Sequence, residues 1–327
     1  MKKVTYQDIS KKTGISLATI SRIIKGNTAV NKELVIRVND AIKELGYEIP
    51  EKKQLPQGPS RLIIMEVPSV VNRFYTDIIR GVTEKASCCN YSILLHESAS
   101  TSPVDELIDI VKRTNAAGII SALNLENEKR ITSLVPVVQC CEKSSKGSVP
   151  YVSIDDIQAT IRATELLLSH GNNRIAFING PLSYRYAIDR LKGFEIALER
   201  ANKKIIPQLV TSLSDISYDI AYSAAHTLFS KDKKPDAVFA ASDIVAVAAA
   251  NVAKSYGLRI PEDIEIIGFD DIDIARMTSP ALTTIRQPCY QMGLNCCEML
   301  IELIEQGESK ARCLLLPTEL IIRESTR

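Results

Sequence analysis

Residues 4–27 read VTYQDISKKTGISLATISRIIKGN. Thr5 followed by Asp8 three positions on makes a capping box, so a helix starts here. Ile9 supplies its apolar face and Gly14 breaks it. Ser16 caps a second helix over about 17–24, with Ile20 and Ile23 or Ile24 turned inward and Gly26 ending it. Two short helices joined by a glycine-bearing turn form a helix-turn-helix pattern. Asn31 caps a third, longer helix. Its Leu34, Val35, Val38, Ala41, Ile42 and Leu45 recur at helical spacing before Gly46 stops it.

The second helix would be the recognition helix. Ser16, Thr19 and Ser21 carry short hydroxyls that reach phosphate oxygens, and the helix N-terminus itself favours an anion. Leu17 and Ala18 project from the first turn, where base edges are met. Arg22 can grip guanine with two hydrogen bonds, or a phosphate. These residues alone leave two readings open: a DNA-reading surface, or a three-helix cap with a solvated basic face.

Charge sharpens the contrast between head and body. Residues 1–60 hold 11 Lys/Arg against six Asp/Glu, a net +5, while the whole chain is +1, so the other 267 residues sum to −4. A small basic head on a slightly acidic body directs an anionic partner to the head alone. The 327 residues suit about two domains plus a small appendage. The composition, 45% hydrophobic and 24% charged, is that of a globular protein. No apolar run reaches membrane-span length. The N-terminus has lysines without an apolar stretch behind them, so a cytoplasmic location is expected.

The eight cysteines are Cys88, Cys89, Cys140, Cys141, Cys289, Cys296, Cys297 and Cys313. Their three adjacent pairs do not match metal or redox spacing, and His96, His170 and His226 are not in HxxxH spacing. We expect no metal site, and read the cysteines as small buried apolar residues in a reducing compartment.

From Arg61 onward, strand-like runs alternate with helical ones. Strands are predicted at 62–67, 91–96, 117–122, 136–139, 174–178, 237–241 and 264–269. Helices are predicted at 74–86, 159–169, 189–201, 218–229, 243–256 and 290–305. That alternation implies parallel sheets covered by helices on both faces. No GxGxxG or P-loop follows a strand, so no nucleotide cofactor is implied.

VTYQDISKKTGISLATISRIIKGN closely resembles the head of the lactose-repressor family of bacterial transcription regulators, and ISLATISRIIKGN is similar to its recognition-helix signature. The resemblance extends along the body. It runs through RFYTDIIRGV, VSIDDIQATIRATELLLSHGNNRIAFINGP, DRLKGFEIALERA, FAASDIVAVAAANVAKSYGLRIPEDIEIIGFDDIDIA and PALTTIRQP to ELIIRESTR. GFDDIDI, QPCYQMG and ELIIRESTR look somewhat like the cytidine-repressor branch. The resemblance implies a helix-turn-helix domain at 1–47, a hinge or linker at 48–60, and a two-lobed α/β periplasmic-binding-protein-like effector domain at 61–327. The N-lobe would span about 61–158 and 289–317, and the C-lobe about 159–288 and 318–327. It implies no cofactor. It implies double-stranded operator DNA, a sugar or nucleoside effector, and a homodimer, since the leucine-heptad tail of tetrameric members is missing. Its DNA contacts would come from Thr5, Tyr6, Ser16, Leu17, Ala18, Thr19, Ser21, Arg22, Asn27, Lys32, Tyr47 and Leu55.

The linker EIPEKKQLPQGPS departs from the family pattern. It lacks the Ala-Arg pair of the hinge helix, and Pro56 turns Leu55 away from helical backbone. Leu55 would then wedge into the minor groove at a shifted register, with Lys52 and Lys53 on phosphates.

In such a fold the ligand sits beyond the carboxyl ends of the parallel strands. Ser69, Asn72, Phe74, Tyr75, Asp155, Arg190, Ser242, Asp243 and Asp270 lie at or just after strand ends. Carboxylates and an arginine suit a polyhydroxylated ligand, and aromatic rings can stack on it. By resemblance Asp155, Arg190, Ser242 and Asp270 match effector-holding positions, while Tyr184, Tyr186 and Ile216 fall where the family varies with ligand. Structural readings stand beside these. Asp243 would cap the helix starting at Ile244, Asp156 and Asp271 would cap or stay solvated, Arg190 would serve a lobe salt bridge, and Phe74 would be core.

Two other functions compete. Asp155/Asp156 and Asp270/Asp271 invite an acid–base enzyme, although neighbours along a strand face opposite ways. A ligand sensor whose altered linker has cost it DNA binding would share the same fold.

Overall fold

The computed structural model describes residues 4–24, 31–47, 60–98, 103–125, 127–143, 149–307 and 313–327. The chain divides into two compact units on either side of residue 58, and each is described by itself. Gly26 and the linker through Leu55 and Pro56 lie outside the described residues.

The described residues of the head form three helices: α1 (Tyr6–Thr13), α2 (Leu17–Ile24) and α3 (Lys32–Leu45). The expected capping box forms, with the Thr5 backbone N–H and hydroxyl both donating to the Asp8 carboxylate, at 2.8 and 2.7 Å. Gly14 and Gly46 take the left-handed conformation that closes α1 and α3. The turn between α1 and α2 is fixed by side chains. Ser10 donates to the Ile15 carbonyl at 2.7 Å, and the Thr13 hydroxyl donates to the Ile9 carbonyl while accepting from Ile15 N–H. Arg37 donates to the Thr13 carbonyl at 2.7 Å, tying α3 to that turn. Ile9, Ile15, Ile20, Ile23, Val38, Ala41 and Ile42 form the small core.

The described residues of the body form two six-stranded sheets. The first contains β1 (Leu62–Val67), β2 (Ser92–Glu97), β3 (Gly118–Ser121), β4 (Val137–Cys140), β5 (Tyr151–Ile154) and β11 (Cys313–Leu316), in the order β11-β5-β4-β3-β1-β2. Every pairing in it is parallel. The second contains β6 (Ile175–Asn179), β7 (Val210–Ser212), β8 (Ala237–Ala240), β9 (Glu265–Asp270), β10 (Thr283–Arg286) and β12 (Glu319–Ile321), in the order β12-β10-β9-β8-β6-β7. Here only β12 runs antiparallel, along β10. The chain therefore crosses between sheets three times: after β5, after β10, and between β11 and β12.

The helices of the first lobe are α4 (Phe74–Cys88), α5 (Pro103–Thr114), α6 (Lys129–Thr132) and α12 (Cys289–Gln306). Those of the second are α7 (Asp156–Ser169), α8 (Arg185–Arg200), α9 (Tyr218–Phe229), α10 (Asp243–Ser255) and α11 (Ile274–Met277). The buried phenylalanines Phe177, Phe194, Phe239 and Phe269 form a ring cluster beneath the second sheet's strand ends. Each contributes about 1.5–3 kcal/mol by leaving water.

The seven predicted strands and six predicted helices are all present, β1 and α9 with the predicted ends and the others with shifted ones. β5, β7, β10, β11 and β12 were not read from the sequence. They are three or four residues long, and β10 reads TTIR, too polar to register as an apolar run. The cysteine reading holds for Cys140, Cys289, Cys296 and Cys297, which are buried, but Cys88 and Cys313 are exposed. Asp243 does not cap α10. Ser242 does, accepting from Val245 N–H at 3.3 Å, and Asp243 is the first helical residue.

α4 and α12 meet backbone to backbone. A Cβ on Gly81 would stand 2.2 Å from the Tyr290 carbonyl oxygen, and one on Gly293 would stand 2.1 Å from that of Ile78. Neither backbone can yield without parting the helices. Gly81→Ala is expected to destabilise the body by about 1–3 kcal/mol, the usual cost of overpacking. An unchanged urea midpoint for this variant would show that the two helices are not held this closely.

Candidate functional site

Two surfaces carry the candidate functional side chains, one on each unit. On the head, α2 buries Ile20 and Ile23 and leaves Leu17, Ala18 and Arg22 exposed on its other side. Ser16 is also exposed. Its hydroxyl accepts from Thr19 N–H at 3.3 Å and lies 2.9 Å from the Thr19 hydroxyl, so the first turn of α2 is held by its own side chains. Ser21 is half-buried beside Arg22. Thr5 is exposed at the start of α1, and the rings of Tyr6 and Tyr47 pack with centroids 5.7 Å apart. Lys32 opens α3, and Asn27 and Leu55 lie outside the described residues.

In the body, a cavity of about 580 Å³ opens at the carboxyl ends of both sheets. The first lobe lines it with Ser69 and Asn72 from the β1–α4 loop and with Phe74 and Tyr75 from the first turn of α4. The Asn72 side-chain Oδ1 accepts from Phe74 N–H at 3.1 Å and so starts that helix. Phe74 and Tyr75 meet edge to face, 5.0 Å apart, in the wall of the cavity rather than deep in the core. The second lobe contributes Tyr184 and Tyr186 around the start of α8, then Arg190, Ile216, Ser242 and Asp270. Tyr186 lies so close to Gly180 that a Cβ there would be 2.5 Å from its hydroxyl.

One expected residue is misplaced. Asp155 does not line the cavity; its neighbour Asp156 does. The two are not on a strand. Asp155 is the cap of α7, exposed, and accepts from Gln158 N–H at 3.0 Å. Asp156 opens the helix and turns inward, so it is neither a cap nor solvated. The Asp271 side chain is likewise buried rather than solvated, held by Arg286 at 2.7 Å and Arg323 at 2.5 Å.

Arg190 organises the second lobe's side of the cavity. It donates to Asp156 at 2.8 Å and to the Ala241 carbonyl at 2.6 Å. Its guanidinium carbon lies 3.5 Å from the Phe269 ring centroid and 4.8 Å from that of Tyr186, a cation–π sandwich. Both the salt-bridge and the cleft reading of Arg190 thus describe its surroundings. Asp270 accepts from Gln287 at 2.8 Å, and its φ of 111° is strained backbone for a residue with a side chain. Asp243, absent from the cavity wall, holds that strained turn from below. It accepts from Ile272 N–H at 2.8 Å and from the Thr284 hydroxyl at 2.6 Å.

Several lining residues escaped the sequence reading: Asp156, Cys141, Glu142, Asp215, Tyr218 and Gln287. Glu142 follows β4 by two residues, so the strand-end rule applied there would have found it. Gln287 follows β10, which gave no strand signal. Glu142 accepts from Arg185 N–H at 3.0 Å, and its other oxygen is buried with no hydrogen-bond partner among the described residues.

Burial dominates the electrostatics. It pushes Asp270 from 3.8 up to about 7 and Glu142 from 4.5 up to about 7, against the pull of Arg190 on both. It also raises Asp156, although Arg190 opposes the shift. The result is a pocket of directed acceptors, one fixed cation and two aromatic pairs, suited to a small ligand rich in hydroxyl or amino donors. Among the described residues, no group of three His, Cys, Asp or Glu side chains is placed to hold a metal ion, and no helix is long and apolar enough to cross a membrane.

A helix-turn-helix head joined to a two-lobed ligand-binding body defines a DNA-binding transcription regulator. The comparisons agree. Residues 5–50 match the family described as bacterial regulatory proteins, lacI family, and residues 164–326 match the periplasmic binding protein-like domain. The chain is 32% identical to the HTH-type transcriptional repressor CytR of Escherichia coli (strain K12), over 99% of this chain and 96% of that protein. It is 31% identical to a ribose operon repressor of Halalkalibacterium halodurans, over 99% and 97%. A solved transcriptional regulator CelR–cellobiose complex superposes with a TM-score of 0.76 at 29% identity, covering 98% of this chain and 99% of that one. The chain belongs to the lacI family of bacterial regulatory proteins.

The raised carboxylates set a pH dependence. Between about 4 and about 7, folded Asp270 keeps a proton that the unfolded chain has already lost. Its contribution is therefore present at low pH and is lost as pH rises through about 7. Asp270→Asn is expected to flatten that part of the ligand-free body's stability-versus-pH curve. Parallel wild-type and variant thermal-melt series across this range would refute the assignment.

Proposed function

We propose that this chain represses transcription as a homodimer on a pseudo-palindromic operator, and that a sugar or nucleoside in the cleft sets its operator affinity. The observation that carries the ligand class is the pairing of Arg190 and Asp270 with aromatic walls on both lobes of one cavity. Directed hydrogen bonds to hydroxyls plus a ring face are what such ligands require. The names of two relatives favour the sugar class, since one is a ribose operon repressor and another was solved as a cellobiose complex.

The DNA contacts fall to Thr5, Tyr6, Ser16, Leu17, Ala18, Thr19, Ser21, Arg22, Asn27, Lys32, Tyr47 and Leu55. The effector contacts fall to Ser69, Asn72, Phe74, Tyr75, Tyr184, Tyr186, Arg190, Ile216, Ser242 and Asp270, with Asp156 in place of Asp155. The domain plan is a head at 1–47, a linker at 48–60 and an effector domain at 61–327. Its N-lobe takes about 61–158 and 289–317, and its C-lobe about 159–288 and 318–327. The protein acts in the cytoplasm and performs no catalysis. Asp270 and Asp271 do not pair as acid and base, because Asp271 is occupied by two arginines. Cleft closure around the effector changes the lobe arrangement, and the coupling is a difference in ligand affinity between two states.

Selection of genomic fragments by the purified protein, followed by affinity against salt, tests the reading. A two-fold-symmetric site bound far above random DNA is expected. Weak binding that vanishes with salt would mean that the head needs a corepressor or that the altered linker has disabled it, and no salt-dependent DNA affinity at all would make the chain a ligand sensor. Arg22→Ala is expected to weaken operator binding by about 1–3 kcal/mol and leave ligand binding intact. Asp270→Ala is expected to do the reverse. Normal operator affinity in Arg22→Ala would overturn the assignment of α2.

A further inference from the structure

We propose that Cys140 and Cys141 form a thiol–disulfide exchange site in the wall of the cleft, taking small disulfides that fit the cavity. Cys140 ends β4 and Cys141 follows it directly. In a continuing strand the two side chains would point to opposite faces. Cys141 instead takes a left-handed backbone, with φ at 69°, and its Sγ comes back to 3.7 Å from that of Cys140. Cys141 lines the cavity, and Cys140 is fully buried behind it. The reachable sulfur thus has a second thiol at its back.

Proton sharing distinguishes the two sulfurs. Hydrogen bonds from Cys141 and Cys296 pull the Cys140 thiol below its ordinary value, while the bond to Cys140 and burial hold Cys141 up. The pair shares one proton across this contact, so the charge can reside on either sulfur, and the sulfur that lines the cavity attacks when it holds the charge. When a disulfide R–S–S–R enters, the proton of Cys141 passes to the Cys140 sulfur as Cys141 attacks. A Cys141–S–S–R bond forms, and the first R–S⁻ leaves and is protonated by water. Cys140 then attacks the Cys141 sulfur, its proton leaving with the second R–SH. Two protein thiols are oxidised and one external disulfide is reduced to two thiols, so no other oxidant is needed. Adjacent cysteines have Cα atoms about 3.8 Å apart, closer than an ordinary disulfide holds them, so the product is strained and easily reduced.

The test uses the full-length chain with Cys88→Ser, Cys89→Ser and Cys313→Ser, which removes the exposed and half-buried thiols outside the cavity. The probe is 4,4′-dithiodipyridine without denaturant. The expected result is release of two thiopyridone equivalents per chain, an intact mass lower by two hydrogens, and recovery with dithiothreitol. Peptide mapping should place the bond between Cys140 and Cys141, in this background and in the unsubstituted chain. Adding Cys141→Ser should abolish the release. A stable pyridylthio adduct on Cys141, a disulfide mapped to Cys289 or Cys296, or thiols that react only in urea would each overturn the proposal.

Discussion

The second lobe is organised around one buried ion pair. Arg190 and Asp156 are both almost fully removed from water, and their attraction is worth having only because the other groups are also satisfied. Arg190 reaches from α8 to the start of α7, to Ala241 just past the end of β8, and to the ring of Phe269 on β9. One side chain therefore fixes the relative positions of four elements where they meet the cavity. Asp156 stands just after the first crossing between the sheets, so the same contact anchors the hinge side of the cleft. Replacing either partner alone would leave a buried charge uncompensated.

A second layer of carboxylates supports this one from beneath. Asp243 holds the strained turn that presents Asp270, and Asp271 holds β10 and the chain's last segment through Arg286 and Arg323. Three neighbouring carboxylates thus have three tasks. One faces the cavity, one shapes the loop, and one locks the sheet edge. Their raised or satisfied states follow from burial and partner, not from residue type.

The head was almost entirely legible in the sequence. Its capping box, glycine stops and isoleucine spacing are local signals, and local contacts build it. The long strands and helices of the body were legible for the same reason. The short polar strand β10 was not, and with it went Gln287, because nothing in TTIRQ announces a central position between β9 and β12. Asp155 and Asp156 show the limit most clearly. Their order in the chain was visible, but which of them faces inward depends on the residue at which α7 starts, and that is set by the capping bond to Gln158. Arg190 was legible as a charged residue in a helix, whereas its seat between two rings depends on non-local packing.

The contact of α4 with α12 has a mechanical meaning. α4 begins at Phe74 on the cleft, and α12 begins at Cys289, just past the crossing that leaves Gln287. Where long side chains separate two helices, rotamer changes can absorb a small displacement. At Gly81 and Gly293 main chain rests on main chain, and there is no such slack. A push on Phe74 would therefore reach α12 with little loss, because the two helices form one stiff unit that begins in the wall of the ligand pocket.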